Sequence, residues 1–270
     1  MSWLQRRIRV YSAVAQNMVK LMMAYSVWFW VEMFGSILMM MIVFYFWRAV
    51  YADTDAVGGM KAQETITYML FAQILAPLVR WSLILDFGGM IREGAIGIEL
   101  LRPADFQARF YVQGLTAALV SLVRQALPLG MIAWLFFGLK LPTDPKIWVA
   151  FTVTVLVGNA ILFFFDWTFA SLAFYTTEVW GMHILREGVA TFFSGAMIPL
   201  AMLPGWLQSV AGALPFGQAL YAPIGLLTGI IPLSQLPQVW LGQAIWLVSL
   251  GIISRITFNL AARQITVQGG

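Results

Sequence analysis

Four ionisable residues lie inside long apolar stretches of this chain: Glu32, Arg80, Arg124 and Asp166. At the centre of a membrane-spanning helix each charge costs roughly 2.5 to 3.5 kcal/mol, so such a residue usually belongs to an ion pair or lines a pathway. Helical rise places Glu32, Arg80 and Asp166 at one depth, about 10 Å from the cytoplasmic ends of three separate helices. We therefore predict that Arg80 bridges Glu32 and Asp166. Arg124, near mid-membrane, should face protein or water rather than lipid.

Two alternatives remain open for this network. In one, Arg80 snorkels to the inner headgroups, and Glu32 and Asp166 are structural groups paired elsewhere. In the other, the charged residues contact a substrate directly.

Patterns for catalysis and for cofactor binding are missing from the sequence. The chain has no cysteine and one histidine, His183, which rules out thiol chemistry and leaves no cluster for zinc. It has no GxxxxGK[ST] phosphate loop, no GxGxxG sequence that opens a helix after a strand, and no GxSxG elbow. We therefore expect no catalytic, metal or cofactor site in this chain.

The composition is that of an all-α integral membrane protein. Of the 270 residues, 61% are hydrophobic and only 10% are charged, whereas soluble domains carry about 25% charged residues. The net charge of +4 comes without a run of basic residues, so nucleic acid is not an expected partner. Membrane lipid is.

The distribution of basic residues predicts the topology. The amino end, the loop 88–109 and the carboxyl end with Arg255 and Arg263 all carry arginines, so all three should be cytoplasmic, which requires an even number of crossings. A crossing needs about 20 mostly apolar residues. The six predicted spans are residues 25–47, 63–85, 110–138, 147–174, 189–203 and 238–260. A seven-span alternative would put Arg263 outside.

Two further segments complete the predicted architecture. Residues 1–22 have apolar side chains at three- and four-residue intervals, which predicts an amphipathic helix at the cytoplasmic interface, outside a six-span membrane domain of residues 23–270; the alternative is an ordinary basic flank to the first span. Prolines and glycines interrupt residues 204–237, which predicts a re-entrant pair of short helices on the outer side. Four residues mark this hairpin: Pro199, Pro204, Gly205 and Pro215.

The loop 88–109 is the most organised polar segment. Glycines and Pro103 bound a predicted short amphipathic helix, whose apolar side chains lie beside alternating charges. Such a surface suits insertion into a groove on a soluble partner; the alternative is an interfacial turn that only connects two spans. The residues expected at this contact are Arg92, Glu93, Ile98, Glu99, Leu100, Leu101 and Arg102.

Two stretches resemble the type-2 family of ABC exporter permeases, in particular its six-span branch associated with viologen and daunorubicin-like efflux. One is Ile91-Arg92-Glu93-Gly94 followed by Leu100-Leu101-Arg102-Pro103. The other is the segment 194–200, with Leu203-Pro204-Gly205-Trp206-Leu207 and Leu214-Pro215-Phe216 after it. With the amino-terminal helix, the resemblance covers nearly the whole chain in architecture.

The resemblance implies a non-catalytic permease subunit of an exporter of drug-like or lipid-like amphiphiles. It would form a homodimer, or a heterodimer with a related six-span permease, on two soluble ATP-binding subunits that carry ATP and Mg. The loop from Arg92 to Pro103 would be the coupling helix that docks on those subunits. The segment Thr176 to Glu187 would supply a further contact through Glu178, His183, Arg186 and Glu187. We expect a protein of the bacterial cytoplasmic (inner) membrane.

Two other classes of function compete with the exporter. A secondary transporter would use Glu32 and Asp166 as proton or cation sites and would work without ATP. The missing internal repeat argues against the inverted repeats of many such transporters. A membrane scaffold would need neither the charges nor the loop surface.

Overall fold

A computed structural model describes residues 3–24, 26–79, 81–176 and 178–264 of the chain. The α-helices, in chain order, are α1 (Trp3–Ala24), α2 (Ser26–Val50), α3 (Ala62–Val79), α4 (Leu83–Arg92), α5 (Ala95–Leu100), α6 (Phe106–Ser121), α7 (Leu127–Phe136), α8 (Pro145–Ala170), α9 (Trp180–Phe193), α10 (Gly205–Gly212), α11 (Phe216–Ala219), α12 (Tyr221–Thr228) and α13 (Leu236–Ala261). Two short strands, β1 (Ala56–Val57) and β2 (Met60–Lys61), form an antiparallel hairpin.

Five stretches of the described chain are long and apolar enough to cross a membrane. They are Val27–Val50, Ala62–Arg92, Phe106–Phe136, Pro145–Phe174 and Leu233–Gln264. Each overlaps one of the predicted spans, and they are called here the first, second, third, fourth and last spans. The prediction of an all-α, multi-pass membrane protein is confirmed.

The second and third spans are irregular at defined positions. The second span is interrupted between α3 and α4, where Trp81 and Ser82 are not helical; Pro77 lies inside α3, which continues to Val79. The third span contains one π-helical stretch, Leu122–Ala126, between α6 and α7, and Pro128 is the second residue of α7. Such π stretches inside α-helices often occur at functional sites.

The fourth span lies at the centre of the bundle. It packs against the last span, α4, α11 and α12. Trp167, fully buried, meets Phe87 from the second span at 4.9 Å, Phe106 from the third at 5.4 Å and Phe258 from the last at 5.2 Å between ring centroids. This aromatic cluster joins the four spans at one end of the bundle.

The predicted span 189–203 is wrong in its bounds. The helix in this region is α9, which begins earlier, at Trp180, and ends at Phe193. Residues 194–199 form turns, and Gly195 adopts φ +84°, a left-handed conformation that a helix cannot continue through. A short 3-10 turn, Leu200–Met202, follows.

Prolines divide the segment 204–237 into short helices, as expected from the missing backbone donor. Pro199 precedes the 3-10 turn, Pro204 precedes α10, whose first residue is Gly205, and Pro215 precedes α11. The segment therefore holds three short α-helices, α10 to α12, rather than the predicted pair. Residues 222–227 of α12 are all buried, because α12 packs between α3 and α8.

Close backbone approach fixes α11 against the fourth span. A Cβ added to Gly158 of α8 would lie 2.6 Å from the Cα of Ala219 and 3.0 Å from the carbonyl oxygen of Gln218. Backbone atoms cannot give way as a flexible side chain does. Gly158 is therefore the residue that allows α11 to seat on α8.

We expect Gly158→Ala to lower the thermal unfolding midpoint of the detergent-purified chain by an amount equivalent to about 1 to 3 kcal/mol, the usual range for overpacking. Gly35→Ala is the matched control, because Gly35 is also a glycine inside a span and has open space around its Cβ position. The control should be neutral or slightly stabilising, since alanine favours helix over glycine. Equal midpoints for the two variants would contradict the seating of α11 on Gly158.

Candidate functional site

The loop between the second and third spans contains the predicted short helix. After α4 the chain turns at Gly94, whose φ of +69° is in the left-handed region, and continues into α5. Asp105 then starts α6 by accepting a hydrogen bond from the Ala108 N–H at 2.7 Å. The loop is thus a compact helical element between two spans.

Helix α5 has a buried side and an exposed apolar side. Ile96 is buried and packs into the core, whereas Ile98 and Leu101 are 67% and 86% exposed. Arg92, Glu93 and Arg102 are also exposed around this surface, and Glu99 and Leu100 are half-buried. Two neighbouring apolar side chains with a charged rim form a surface suited to a protein partner. We call Ile98 and Leu101 with this rim the α5 surface.

Ion pairs brace the α5 surface against the third span. Glu99 binds the Arg109 guanidinium at 2.7 Å, and Arg109, which is itself buried, also donates to the Glu99 backbone carbonyl at 3.2 Å. Glu99 also pairs with Arg102 at 2.8 Å. A displacement of α5 therefore acts directly on the start of α6. The role of Arg109 was not predicted, because the sequence gives no spacing that pairs it with Glu99.

A second brace joins the third and last spans through Asp105. Its carboxylate accepts two hydrogen bonds from the Arg255 guanidinium, at 2.7 and 2.9 Å. Partial burial acts to raise the pKa of Asp105, but the hydrogen bonds from Arg255 and from the Ala108 N–H outweigh it, so the pKa lies below its usual range. Asp105 is ionised at neutral pH.

We expect Asp105→Asn to destabilise the chain at pH 7 by about 1 kcal/mol, through loss of a charged cap. A carboxylate with a lowered native pKa stabilises the fold above its unfolded pKa of about 3.9, and this contribution is lost as the pH falls through the native pKa. The difference in unfolding midpoint between wild type and variant should therefore shrink on acidification from pH 7 to pH 3. A difference that stays constant with pH would contradict an ionised Asp105.

A buried polar junction lies behind the loop, at the break in the second span. Oδ1 of Asp166 is 2.7 Å from Nε of Arg186 on α9, and the side chains are 0% and 3% exposed. Oδ2 of Asp166 accepts a hydrogen bond from the Leu83 N–H, the first of α4, at 2.7 Å. Arg186 also contacts Glu187 at 2.8 Å. One carboxylate thus joins the second span, the fourth span and α9.

The fourth span supplies hydrogen-bond partners to the backbone on both sides of the break in the second span. Asn159 donates to the Leu78 carbonyl at the end of α3 at 2.8 Å, while Asp166 accepts from the first amide of α4. Residues seven apart lie on the same face of a helix, so one face of α8 binds both broken ends. This arrangement meets the requirement that backbone freed at membrane depth be bonded within the protein. Asn159 was missed in the sequence, although its spacing from Asp166 was the available signal.

The structure pairs Asp166 with Arg186, a residue that the sequence analysis had placed in a cytoplasmic loop. Arg186 was expected on an exposed cytoplasmic loop, Thr176 to Glu187, as a contact for a partner subunit. That assignment is wrong, because α9 begins at Trp180 and turns Arg186 into the bundle. Arg80 lies outside the described residues, so its bridge between Glu32 and Asp166 stays a prediction.

Glu32 and Arg124 line one cavity, where the first span contacts the π-helical stretch of the third. Arg124 donates to the Met22 carbonyl at 2.9 Å and stacks over the ring of Phe29 at 4.1 Å. The exposed Glu32 lines a cavity of about 160 Å³ with Arg124 and Gln125. Gln125 in turn donates to Ser36 at 2.7 Å. The first and third spans thus share a polar stripe.

An apolar groove opens between the second, third and fourth spans and α12. Its volume is about 370 Å³, and Trp134, Trp148 and Phe151 are among its lining residues. Volumes of this order are typical of sites for small apolar ligands. Nowhere in the described chain do three or more histidine or acidic side chains gather in a way that would hold a metal ion.

Comparison with known proteins agrees with this geometry. A family model described as "ABC-2 family transporter protein" matches residues 37–269, which include the α5 surface and the Asp166 junction. Searches of curated proteins and of solved structures gave no significant match. Permeases of the matched family are in general non-catalytic membrane components that work with ATP-binding subunits. The match covers well over half of the chain, which is therefore a member of the ABC-2 family of transporter proteins.

Proposed function

We propose that the chain is the transmembrane subunit of an ATP-driven exporter, and that the α5 surface binds a separate ATP-binding subunit. The observation that carries this proposal is an exposed apolar pair, Ile98 and Leu101, on a loop that ion pairs brace against a span. An apolar pair held rigidly in this way loses little conformational freedom when a partner covers it. ATP and Mg bind that partner, and this chain has no catalytic role.

The contacts of the loop suggest how motion passes into the membrane. Helix α5 follows α4 through Gly94, and the first amide of α4 is bound to Asp166. Asp166 is paired with Arg186 on α9. A push on α5 therefore reaches the second span, the fourth span and α9 through rigid helices and one buried ion pair. Closure of the ATP-binding subunits would supply that push.

The contacts made directly before and after α9 support six crossings with an outer re-entrant hairpin. Directly before α9, Val179 lies against Gly88 of α4, on the side of the α5 loop; in the 3-10 turn after α9, Met202 lies against Gly58 in the hairpin between the first and second spans. Residues 179–202 thus extend from one end of the bundle to the other. Phe216 then packs on Phe165 with ring centroids 4.8 Å apart, which returns the chain toward the bundle centre before the last span begins.

This topology puts the two termini and the α5 loop in the cytoplasm of a bacterial inner membrane. The wild-type chain has no cysteine, so single cysteines can be placed on it and tested for labelling by an impermeant maleimide in intact cells. We expect a cysteine at Gly59 to be labelled from outside and one at Glu93 to be protected until the cells are opened. The reverse pattern would overturn the orientation, and labelling of both from outside would overturn the number of crossings.

The chain is half of a pathway in this proposal, and it acts as a homodimer or beside a related permease. The polar stripe with Glu32 and Arg124 supports this, because an exposed charge at membrane depth needs water or protein beside it. The apolar groove and this stripe together suit a drug-like or lipid-like amphiphile as the exported substrate.

Co-purification tests the proposal. The tagged chain would be extracted from its native membrane in mild detergent, and stoichiometric partners identified by mass spectrometry. We expect a soluble protein with a GxxxxGK[ST] loop at one copy per permease chain. Recovery of the chain without such a protein, in a form that transports in vesicles under an ion gradient and without ATP, would establish the secondary transporter based on Glu32 and Asp166 instead.

A further inference from the structure

A cavity between α1 and the α5 loop carries an excess of positive charge. Its volume is about 380 Å³. Arg6 and Arg7 of α1 line one side, and Arg102 and Asp105 line the other. Asp105 is the acidic residue among the lining side chains, and its carboxylate is already bound twice by Arg255. Arg6, Arg7 and Arg102 thus line the cavity with one carboxylate, which Arg255 binds and on which Arg7 also acts electrostatically.

Arg102 can bind a ligand while the loop between the second and third spans keeps its fold. Its ion pair with Glu99 joins neighbouring turns, and the arginine side chain is 57% exposed. Exposed ion pairs of this kind contribute little to stability. Glu99 keeps its buried partner, Arg109, when Arg102 turns toward the cavity.

The position of the cavity indicates which anion fits. Asp105 directly precedes Phe106, where the third span begins, so the cavity lies at the boundary between the apolar membrane and the headgroups. Val10 and Tyr11 add an apolar side to the arginine rim. Basic cavities beside membrane helices on the cytoplasmic side bind phosphate-bearing lipid headgroups. A free inorganic anion has no apolar part that could contact Val10 and Tyr11.

We infer that this cavity binds the phosphate of an anionic membrane lipid and that the lipid links α1 to the α5 loop. The phosphate oxygens accept hydrogen bonds from the guanidinium groups of Arg6 and Arg102, and the glycerol end lies against Val10 and Tyr11. Arginine is suited to this role because its planar group binds phosphate in a bidentate manner. The inference rests on the cytoplasmic orientation proposed above but not on an ATP-binding partner, since the lipid binds to this chain alone.

The test measures lipid binding to the full chain, purified in detergent without any partner subunit. Phosphatidylglycerol and phosphatidylcholine of identical acyl composition are titrated separately, and bound lipid is counted by native mass spectrometry. We expect one saturable phosphatidylglycerol per chain and no saturable phosphatidylcholine. Because each basic residue near an anionic surface contributes a factor of about five, Arg6→Gln with Arg102→Gln should weaken phosphatidylglycerol binding about 30-fold.

Two control variants keep the result interpretable. Arg9→Gln removes one arginine from α1 that does not line the cavity, and it should change the affinity less than about twofold. Arg6→Lys with Arg102→Lys retains the charge and should recover most of the affinity. Unfolding midpoints in phosphatidylcholine establish that each variant is folded.

Three outcomes would overturn the inference. The first is equal weakening by Arg9→Gln and by the double glutamine variant, which would indicate attraction to the overall surface charge. The second is displacement of the lipid by millimolar inorganic phosphate, which would indicate a soluble anion as the ligand. The third is unchanged phosphatidylglycerol binding in the double glutamine variant, which would show that the lipid does not bind at Arg6 and Arg102.

Discussion

Replacement of Arg186 by leucine should destabilise the folded chain by about 3 to 5 kcal/mol, because it leaves the buried carboxylate of Asp166 without its cation. Both side chains are almost fully buried, and among the described residues the carboxylate is bound elsewhere by one backbone amide. The measurement is the free energy of unfolding in mixed micelles, compared with wild type.

The matched control is the exposed ion pair of the α5 loop. Arg102→Leu breaks a contact of 2.8 Å, similar in length to the Arg186 contact of 2.7 Å, but at a side chain that is largely exposed. It should cost less than about 1 kcal/mol. Both variants break an ion pair of similar length, so the difference between their destabilisation energies measures the effect of burial.

A double variant measures the interaction energy between Asp166 and Arg186 apart from the effect of each single substitution. Asp166→Asn combined with Arg186→Leu removes both charges and leaves an amide oxygen to accept the Leu83 N–H. It should therefore be more stable than Arg186→Leu alone, with a coupling energy above about 1 kcal/mol. If the two single effects simply add, Asp166 and Arg186 do not form the junction described above.

Replacement of Leu101 by aspartate should abolish assembly with the ATP-binding subunit while leaving insertion and stability intact. Leu101 is the most exposed apolar side chain of the α5 surface, so a polar residue there disturbs no packing within the chain. A charge buried at the centre of an interface costs about 2 kcal/mol or more, equivalent to roughly a 30-fold loss of affinity. The measurements are the dissociation constant of the complex and ATP-driven transport.

Leu141→Asp is the control for this prediction. Leu141 is also an exposed leucine, but it lies in the loop between the third and fourth spans, at the other end of the third span from Leu101. It should leave the affinity for the ATP-binding subunit unchanged; transport is not compared for this variant, because Leu141 lines the apolar groove. Wild-type assembly and transport in Leu101→Asp would show that α5 is only a connecting turn.

The sequence predicted what depends on local patterns. Long apolar stretches located the first to fourth spans and the last one, because hydropathy over about 20 residues is a strong signal. Gly94 and Pro103 bounded the short helix of the loop, because their backbone preferences are specific. The exposed and buried sides of α5 follow from its apolar spacing.

The sequence did not predict what depends on tertiary contacts. Arg186 and Glu187 interrupt the apolar pattern, and so we assigned that segment to a loop; in the fold, Asp166 neutralises Arg186 and allows α9 to continue past it. Among the described residues, Asp166 pairs with Arg186, and Glu32 lines a cavity with Arg124; the bridge through Arg80 lies outside those residues and stays a prediction. Depth along a helix gives no information on which face meets which neighbour.

The central claim is that the α5 surface contacts an ATP-binding subunit, and a site-specific crosslink from Leu101 tests it most directly. A cysteine at position 101 would be the only one in the chain, so a photoreactive maleimide would label this position alone. After irradiation of native membranes, we expect a crosslink to a soluble subunit with a GxxxxGK[ST] loop, and none to that subunit from a cysteine at position 141. Crosslinks from position 101 to lipid only, or to that subunit equally from both positions, would contradict the account.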